Sequence, residues 1–344
     1  MSELNNDKIM NDFIKILKDL YENINNNEKD IRKTLLNWEK INYDLPNNYD
    51  KNNILYPSLL DKDFAKKISE KKEFYDTRYS EQPKGDDISL KLKSVCMPKD
   101  FELLPQQKFV RNFLSFHTPY NSLLLYHGLG TGKTCSAISM SEQYRDYLKQ
   151  MGIKKRIIII ATPNVQEEFK RQIFDERKLK EINGVWNLNA CTGNKLLKEI
   201  NPTNVKGLTR ERLIRYIKKI IRDSYIFMGY IEFANYIDNV IKKGNNDENK
   251  TNILMQNEFS NRLIIIDEVH NIRITDDNPN KRIATNLLKI AGLSKNMKLL
   301  LLSATPMFNN YKEIIWLLNL LNVNDGRPMI EFSDIFNRDG SFKT

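Results

Sequence analysis

Three cysteines and three histidines in 344 residues leave little material for several kinds of chemistry. Cys96, Cys135 and Cys191 are odd in number, scattered, and lack any paired metal-ligand spacing. They read as independent reduced thiols of an intracellular protein rather than as a disulfide framework. His117, His127 and His270 lie too far apart in sequence to suggest a zinc site. No apolar run approaches the roughly 20 residues needed to cross a bilayer, and the opening MSELNNDKIM lacks the basic-then-apolar pattern of a secretory signal. Acidic residues are in deficit, 44 against 54 basic ones, which leaves a net charge of +10. That balance favours a polyanionic partner, nucleic acid first, over an acidic one; the plainer alternative is a lysine-rich surface serving solubility. The 40% apolar content is enough for a substantial core, and the length suits about two domains.

Residues 1–95 differ in pattern from the rest of the chain. Ile9, Phe13, Leu17 and Leu20 recur at helical spacing, as do Ile31, Leu35 and Trp38, with a polar break between them. The spacing predicts a helical hairpin, then a linker over 45–58, another charged helical stretch from Asp61 to Arg78, and a loop at Gln82-Pro83-Lys84-Gly85. From Pro98 onward strands and helices alternate. Strands are expected at Leu123–Tyr126, Arg156–Ala161, Trp186–Ala190, Tyr225–Met228, Leu263–Asp267 and Lys298–Leu302. Helices are expected at 134–150, 164–180, 209–222, 230–242, 280–291 and 311–321, and the polar stretch 244–258 reads as a surface insertion. Unbroken apolar strands alternating with helices predict an open parallel α/β sheet with helices on both faces. In such sheets nucleotides bind beyond the carboxyl ends of the strands.

The run SLLLYHGLGTGKT, residues 122–134, carries the most chemistry. An apolar strand breaks into a glycine-rich loop, Gly128, Leu129, Gly130, Thr131 and Gly132, ending in Lys133 and Thr134. Such a loop turns backbone N–H groups onto phosphate oxygens, its lysine reaches the β/γ-phosphates, and its threonine hydroxyl helps hold Mg²⁺. His127 stands where the common pattern has its first glycine. In RLIIIDEVH, a buried strand delivers Asp267, a Mg²⁺ holder, and Glu268, placed to polarise the attacking water. In KLLLLSATP, another strand ends in Ser303-Ala304-Thr305, whose hydroxyls suit hydrogen bonds to the Asp-Glu-Val-His segment.

In this order, GLGTGKT, DEVH and SAT resemble motifs I, II and III of superfamily 2 helicases and translocases. The resemblance covers residues 98–321 and implies a RecA-like phosphate-loop domain that hydrolyses ATP with Mg²⁺ while acting on DNA or RNA. It assigns phosphate and metal binding to Lys133 and Thr134, metal binding to Asp267, the catalytic base to Glu268, and coupling to nucleic acid to His270, Ser303 and Thr305. LLPQQKFVRNFL resembles the adenine-sensing segment, with Gln107 as the reader and Gln106 the alternative, while IIIIATPNVQEEF, with Thr162 and Pro163, resembles the nucleic-acid backbone contact of motif Ia. NFLSFHTPYNSLLLYHGLGTGKT and LLLLSATPMFNN further resemble helicase-like ATPases of large nucleocytoplasmic DNA viruses, such as the small subunit of the poxvirus early transcription factor and nucleoside triphosphate phosphohydrolase I. That resemblance implies a role in viral transcription, with viral RNA polymerase or transcription factors as partners, no membrane, and a location in the virion and host cytoplasm.

The expected layout is a helical extension with linker over 1–95, a RecA-like ATP-binding domain over 96–325, and over 326–344 the start of a connection to a second motor domain. No Gln-x-x-Gly-Arg-x-x-Arg pattern occurs, so the chain is expected to be the N-terminal part of a longer motor, whose second domain contributes those arginines, or a truncated relative. Without them this chain should turn over weakly. The alternative is a nucleotide-gated transcription-factor subunit with little turnover of its own. Arg212, Arg215 and Lys219 on helix 209–222 form either a phosphate-tracking stripe or a solvated face, and Lys154-Lys155-Arg156 reads as a solvated turn.

Overall fold

The computed structural model describes residues 55–79, 102–128, 130–202, 208–272, 281–307, 313–337 and 341–343. The chain divides into two compact units, Met1–Asp61 and Lys62–Thr344, and every strand and helix of the sheet domain belongs to the second. The expected helical hairpin, the 82–85 loop, Cys96 and Leu129 lie outside the described residues, as does most of the 45–58 linker.

Five strands form one parallel sheet: β1 (Ser122–Tyr126), β2 (Ile157–Ile160), β5 (Tyr225–Met228), β6 (Leu263–Ile266) and β7 (Lys298–Ser303), in the order β1-β7-β6-β2-β5. Registers such as Leu123↔Leu300, Ile265↔Leu300 and Ile159↔Ile265 run through the centre. β2, β6 and β7 are buried at every position. Strands covered on both faces need no polar alternation, which is why they read as continuous Ile and Leu runs.

Alternate strand residues face different helical layers. Ile158, Ile160, Ile264, Ile266, Leu299 and Leu301 join a core with α8 (Tyr230–Lys242), α9 (Glu248–Phe259), α10 (Lys281–Leu293) and α11 (Glu313–Asn324). The opposite layer includes α4 (Lys133–Gln150), against β6, and α5 (Pro163–Ile173), against β5. α3 (Pro105–Phe113) packs along α4. The two short helices α1 (Phe64–Glu70) and α2 (Lys72–Tyr75) add an aromatic cluster in which Phe74 meets Phe109 at 5.1 Å and Phe113 stacks on Tyr120 at 4.6 Å.

Five sequence expectations need correction. The segment Trp186–Ala190 is not a strand of the main sheet: Val185–Leu188 (β4) pairs antiparallel with Leu179–Ile182 (β3) in a separate hairpin. Helix 164–180 therefore stops at Ile173, because the chain needs extended backbone from Leu179. The polar stretch 244–258 is not merely a surface insertion. Asp247 caps α9 by accepting from Lys250 N at 3.0 Å, and Thr251, Met255 and Phe259, spaced by four, bury one face. Lys155 is not simply solvated, since its ammonium donates to the Ser260 carbonyl at 2.7 Å and to the Asn257 carbonyl at the end of α9. Finally, Cys135 and Cys191 are not independent thiols but are disulfide-bonded across 56 residues, with their Cα atoms 5.3 Å apart.

Candidate nucleotide and nucleic-acid site

The loop after β1, the acids after β6, Ser303 at the end of β7, Thr162 after β2 and Tyr230 after β5 all stand at the carboxyl edge of the sheet. A parallel sheet gathers them there because every strand points the same way.

The phosphate loop closes on itself. Lys133 Nζ donates to the His127 carbonyl at 2.7 Å and the Gly128 carbonyl at 3.2 Å, and Thr131 Oγ1 donates to Gly128 O at 2.8 Å. Gly132 caps α4 with φ +83°, a left-handed conformation that favours glycine. A Cβ there would also come within 2.7 Å of Gln107 Nε2, whereas one at Gly128 or Gly130 would meet nothing within 4 Å. The loop thus has open space above it and a tight contact beneath it. Thr134 begins the first turn of α4, where free N–H groups and the helix dipole favour an anion. Burial and the nearby Lys133 ammonium hold the His127 imidazole below its ordinary pKa, and its buried Nδ1 has no hydrogen-bond partner among the described residues.

Gln107 is buried. Its Oε1 accepts from Leu104 N at 3.0 Å and its Nε2 reaches Gly132 O at 3.4 Å, so it spans the start of α3 and the phosphate loop. Gln106 faces elsewhere and accepts from the Tyr79 hydroxyl.

Across the sheet, burial and then the adjacent Glu268 carboxylate push Asp267 up to about 6, with the Lys133 ammonium working in the opposite direction. Glu268 has φ +43°, uncommon for a residue with a side chain, and such backbone strain tends to collect at functional sites. Its Oε2 lies 3.3 Å from His270 Nδ1. The same ring nitrogen is 3.2 Å from Ser303 Oγ, and Ser303 Oγ accepts from Thr305 N at 3.0 Å. Glu268, His270, Ser303 and Thr305 therefore form one chain of contacts between the ends of β6 and β7.

Tyr230 was not legible as a site residue. Its hydroxyl donates to the Asp267 carbonyl at 2.8 Å and accepts from Asn271 Nδ2 at 3.3 Å, fixing the turn that carries both acids. Burial first, and the two carboxylates after it, push its hydroxyl up to about 12, so it remains a donor. Its one signal in the sequence was its place just after a buried strand. Thr162 caps α5 with its side chain exposed and making no capping bond, and Pro163 follows it at the first helical position. Among the described residues, neither is joined by a hydrogen bond to the acids or the phosphate loop.

Residues 105–341 match the SNF2-related domain family. The chain belongs to that family. The chain is 29% identical over 231 residues to "Putative helicase 087L" of Invertebrate iridescent virus 3, an alignment covering 64% of this chain and 20% of that protein. It is 27% identical over 291 residues to "Putative ATP-dependent RNA helicase L377" of Acanthamoeba polyphaga mimivirus, covering 78% and 23%. With the early transcription factor large subunit homologue of African swine fever virus (isolate Tick/Malawi/Lil 20-1/1983) it shares 24% over 296 residues, covering 70% and 26%. The chain thus spans about a quarter or less of the length of these three relatives. The resemblance to superfamily 2 proteins of large DNA viruses holds, although the transcription-factor relative is a large-subunit homologue. Among the described residues no helix is long and apolar enough to cross a membrane.

Proposed function

We propose that this SNF2-related domain binds ATP and Mg²⁺ between loop 128–134 and the acids Asp267 and Glu268, and hydrolyses ATP to move along or remodel DNA or RNA. The observation that carries this reading is the pairing, at one sheet edge, of a glycine-lined phosphate loop with two adjacent carboxylates, Asp267 and Glu268. Open space above Gly128 and Gly130, a lysine folded onto backbone carbonyls, and an Asp267 raised to about 6 suit a ligand that brings both phosphate and a cation. Thr134 and Asp267 supply the few protein oxygens that Mg²⁺ needs when phosphates and waters complete its shell.

Lys133 would exchange its carbonyl partners for phosphate oxygens. Gln107 would release its long bond to Gly132 O and read the adenine edge. Asp267 and Thr134 would hold Mg²⁺, whose charge offsets that developing on the transferred phosphoryl group. Glu268 would orient and deprotonate the attacking water. His270, through Ser303 and Thr305, would pass the state of the site to nucleic acid held by Thr162 and its neighbours, a contact to the sugar–phosphate backbone without sequence preference. Substituting Lys133→Ala tests the reading: ATP binding by calorimetry should be lost, and normal binding would overturn it.

A second reading, a nucleotide-gated transcription-factor subunit with little turnover, draws on the similarity to the African swine fever virus homologue. Steady-state ATPase assays with and without single-stranded nucleic acid separate the two, since the motor reading requires stimulation. Under either reading viral transcription is the proposed setting, with viral RNA polymerase or transcription factors as partners.

A further inference from the structure

Cys135 directly follows Thr134 and lies in the first turn of α4, the turn whose N–H groups face the phosphate loop. Its partner Cys191 is buried in the loop between β4 and α6 (Lys195–Ile200). That loop has anchors of its own outside α4: Cys191 N donates to Gln172 O at 3.0 Å, Thr192 Oγ1 donates to Ile173 O at 2.9 Å, and Asn194 Oδ1 accepts from Leu188 N at 2.8 Å, while Lys195, just beyond it, pairs with Asp146 further along α4 at 2.7 Å. Two of these anchors belong to the end of α5. The Cα separation of 5.3 Å lies within the range a disulfide spans. The bridge therefore ties the first turn of α4, two turns before the Lys195 contacts, to a loop that is also anchored on α5.

A cavity of about 590 Å³ opens beside this tie. Cys191 and Asn194 line it from the loop, Lys195 from the start of α6, Ser139 and Glu142 from α4, and Arg111 from α3. Ser139 stands four residues after Cys135 and so shares its helix face. The cavity gives a small thiol reagent a route to the neighbourhood of the bridge. None of the described residues of loop 128–134 lines it, so a reagent there does not occupy the nucleotide position.

We infer that Cys135 and Cys191 form a thiol–disulfide modification site that sets the order of the phosphate loop and hence the affinity for ATP; the consequence for ATP rests on the proposed nucleotide site. The co-reactant class is a low-molecular-weight disulfide. One cysteine thiolate attacks its S–S bond, forming a mixed disulfide and releasing one small thiolate. The second cysteine, having lost its proton, attacks the protein-bound sulfur, closing Cys135–Cys191 and releasing the second small thiolate. The protein pair loses two electrons, the reagent gains them, and the two cysteine protons end on the released thiols. With the bridge closed, the first turn of α4 is held in place before nucleotide arrives, so less ordering remains to be done on binding.

The test uses the full chain treated with oxidised glutathione or with dithiothreitol, trapped with N-ethylmaleimide, and read by peptide mass. Cys135 and Cys191 should escape alkylation in the oxidised protein and take one label each after reduction. Calorimetry with ATP should then show tighter binding by the oxidised form, by ~3–10-fold. Cys191→Ser and Cys191→Ala should bind like the reduced protein under both conditions, while Cys96→Ser should keep the difference. Full alkylation of the pair after oxidation, or equal or weaker ATP affinity in the bridged form, would overturn the inference. A bridge seen by mass with no ATP binding in any form would overturn the nucleotide reading, and with it the coupling, while leaving the bridge established.

Discussion

Two groups of charges, one inside the molecule and one at its sheet edge, are handled in opposite ways. In the interior, Glu142 of α4 is matched on every side. Arg145 donates to both its oxygens, Tyr225 donates to Oε1, and Lys195 approaches to 3.4 Å. Arg145 also reaches Glu199 at 2.7 Å, and Lys195 reaches Asp146 at 2.7 Å. Burial alone would raise the Glu142 pKa, yet these partners, Arg145 foremost, bring it below the ordinary value. At the sheet edge, Asp267 is raised instead, Glu268 sits in a strained backbone conformation, and Lys133 is satisfied by carbonyls of its own loop. A buried charge that serves the fold is neutralised within the fold, because an unmatched one costs several kcal/mol. In the proposed nucleotide site the charges are instead held in raised, strained or exchangeable states that a bound ligand would relieve.

The sharpest way to break this contrast is Glu268→Gln. It keeps the shape and removes the proposed base, so ATP binding should persist while steady-state turnover falls by about 10²–10⁴. An unchanged rate would move Glu268 into the structural class. The mirror experiment is Glu142→Ala, which takes from buried Arg145 the carboxylate that accepts most of its hydrogen bonds and leaves it Glu199. Denaturant unfolding should show a loss of about 3–5 kcal/mol, with ATP affinity per folded molecule kept.

Lys298 offers an intermediate case. It is buried, donates to the Tyr120 carbonyl at 2.6 Å, and is lowered to about 8 by burial, with Asp325 opposing. Below pH 8 the ammonium is charged in both folded and unfolded chains, and its burial cost is fully present. Between about 8 and the ordinary 10.5 the unfolded chain binds more protons, so stability should rise with pH there. Relative to Lys298→Met, the gain should approach ~3 kcal/mol by pH 10.5 in urea titrations. A parallel pH dependence in the two proteins would return Lys298 to the fully matched class.

Gln107→Ala should weaken ATP binding by about 1 kcal/mol, the worth of an ordinary hydrogen bond, and leave GTP nearly untouched. Equal loss with both nucleotides would show that its bonds to Leu104 and Gly132 are its whole role. The smallest effect concerns α7 (Arg210–Ser224), whose Arg212, Arg215 and Lys219 are exposed. Replacing all three should flatten the salt dependence of single-strand binding by about 0.7 in log–log slope for each phosphate no longer neutralised. An unchanged slope would make them a solvated face.

Much of this was legible in the sequence because the relevant signals are local. Buried parallel strands are written as uninterrupted apolar runs, and the phosphate loop needs its glycines and lysine contiguous. The failures share a cause as well. Val185–Leu188 has the composition of a core strand but pairs with Leu179–Ile182, and nothing local distinguishes the two partners. The 244–258 stretch is polar on average, and three residues spaced by four decide its burial.

The sequence by itself determined the strand–loop–helix motif, the two acids, the Ser-Ala-Thr turn and the excess of positive charge, since each motif depends on neighbours close along the chain and the charge on composition alone. Tertiary structure alone decided that Tyr230 holds the Asp267 turn, that His270 meets Ser303 across 33 residues, and that Cys135 meets Cys191 across 56. Those contacts depend on strand order, and strand order is set by packing of the whole sheet rather than by any segment of it.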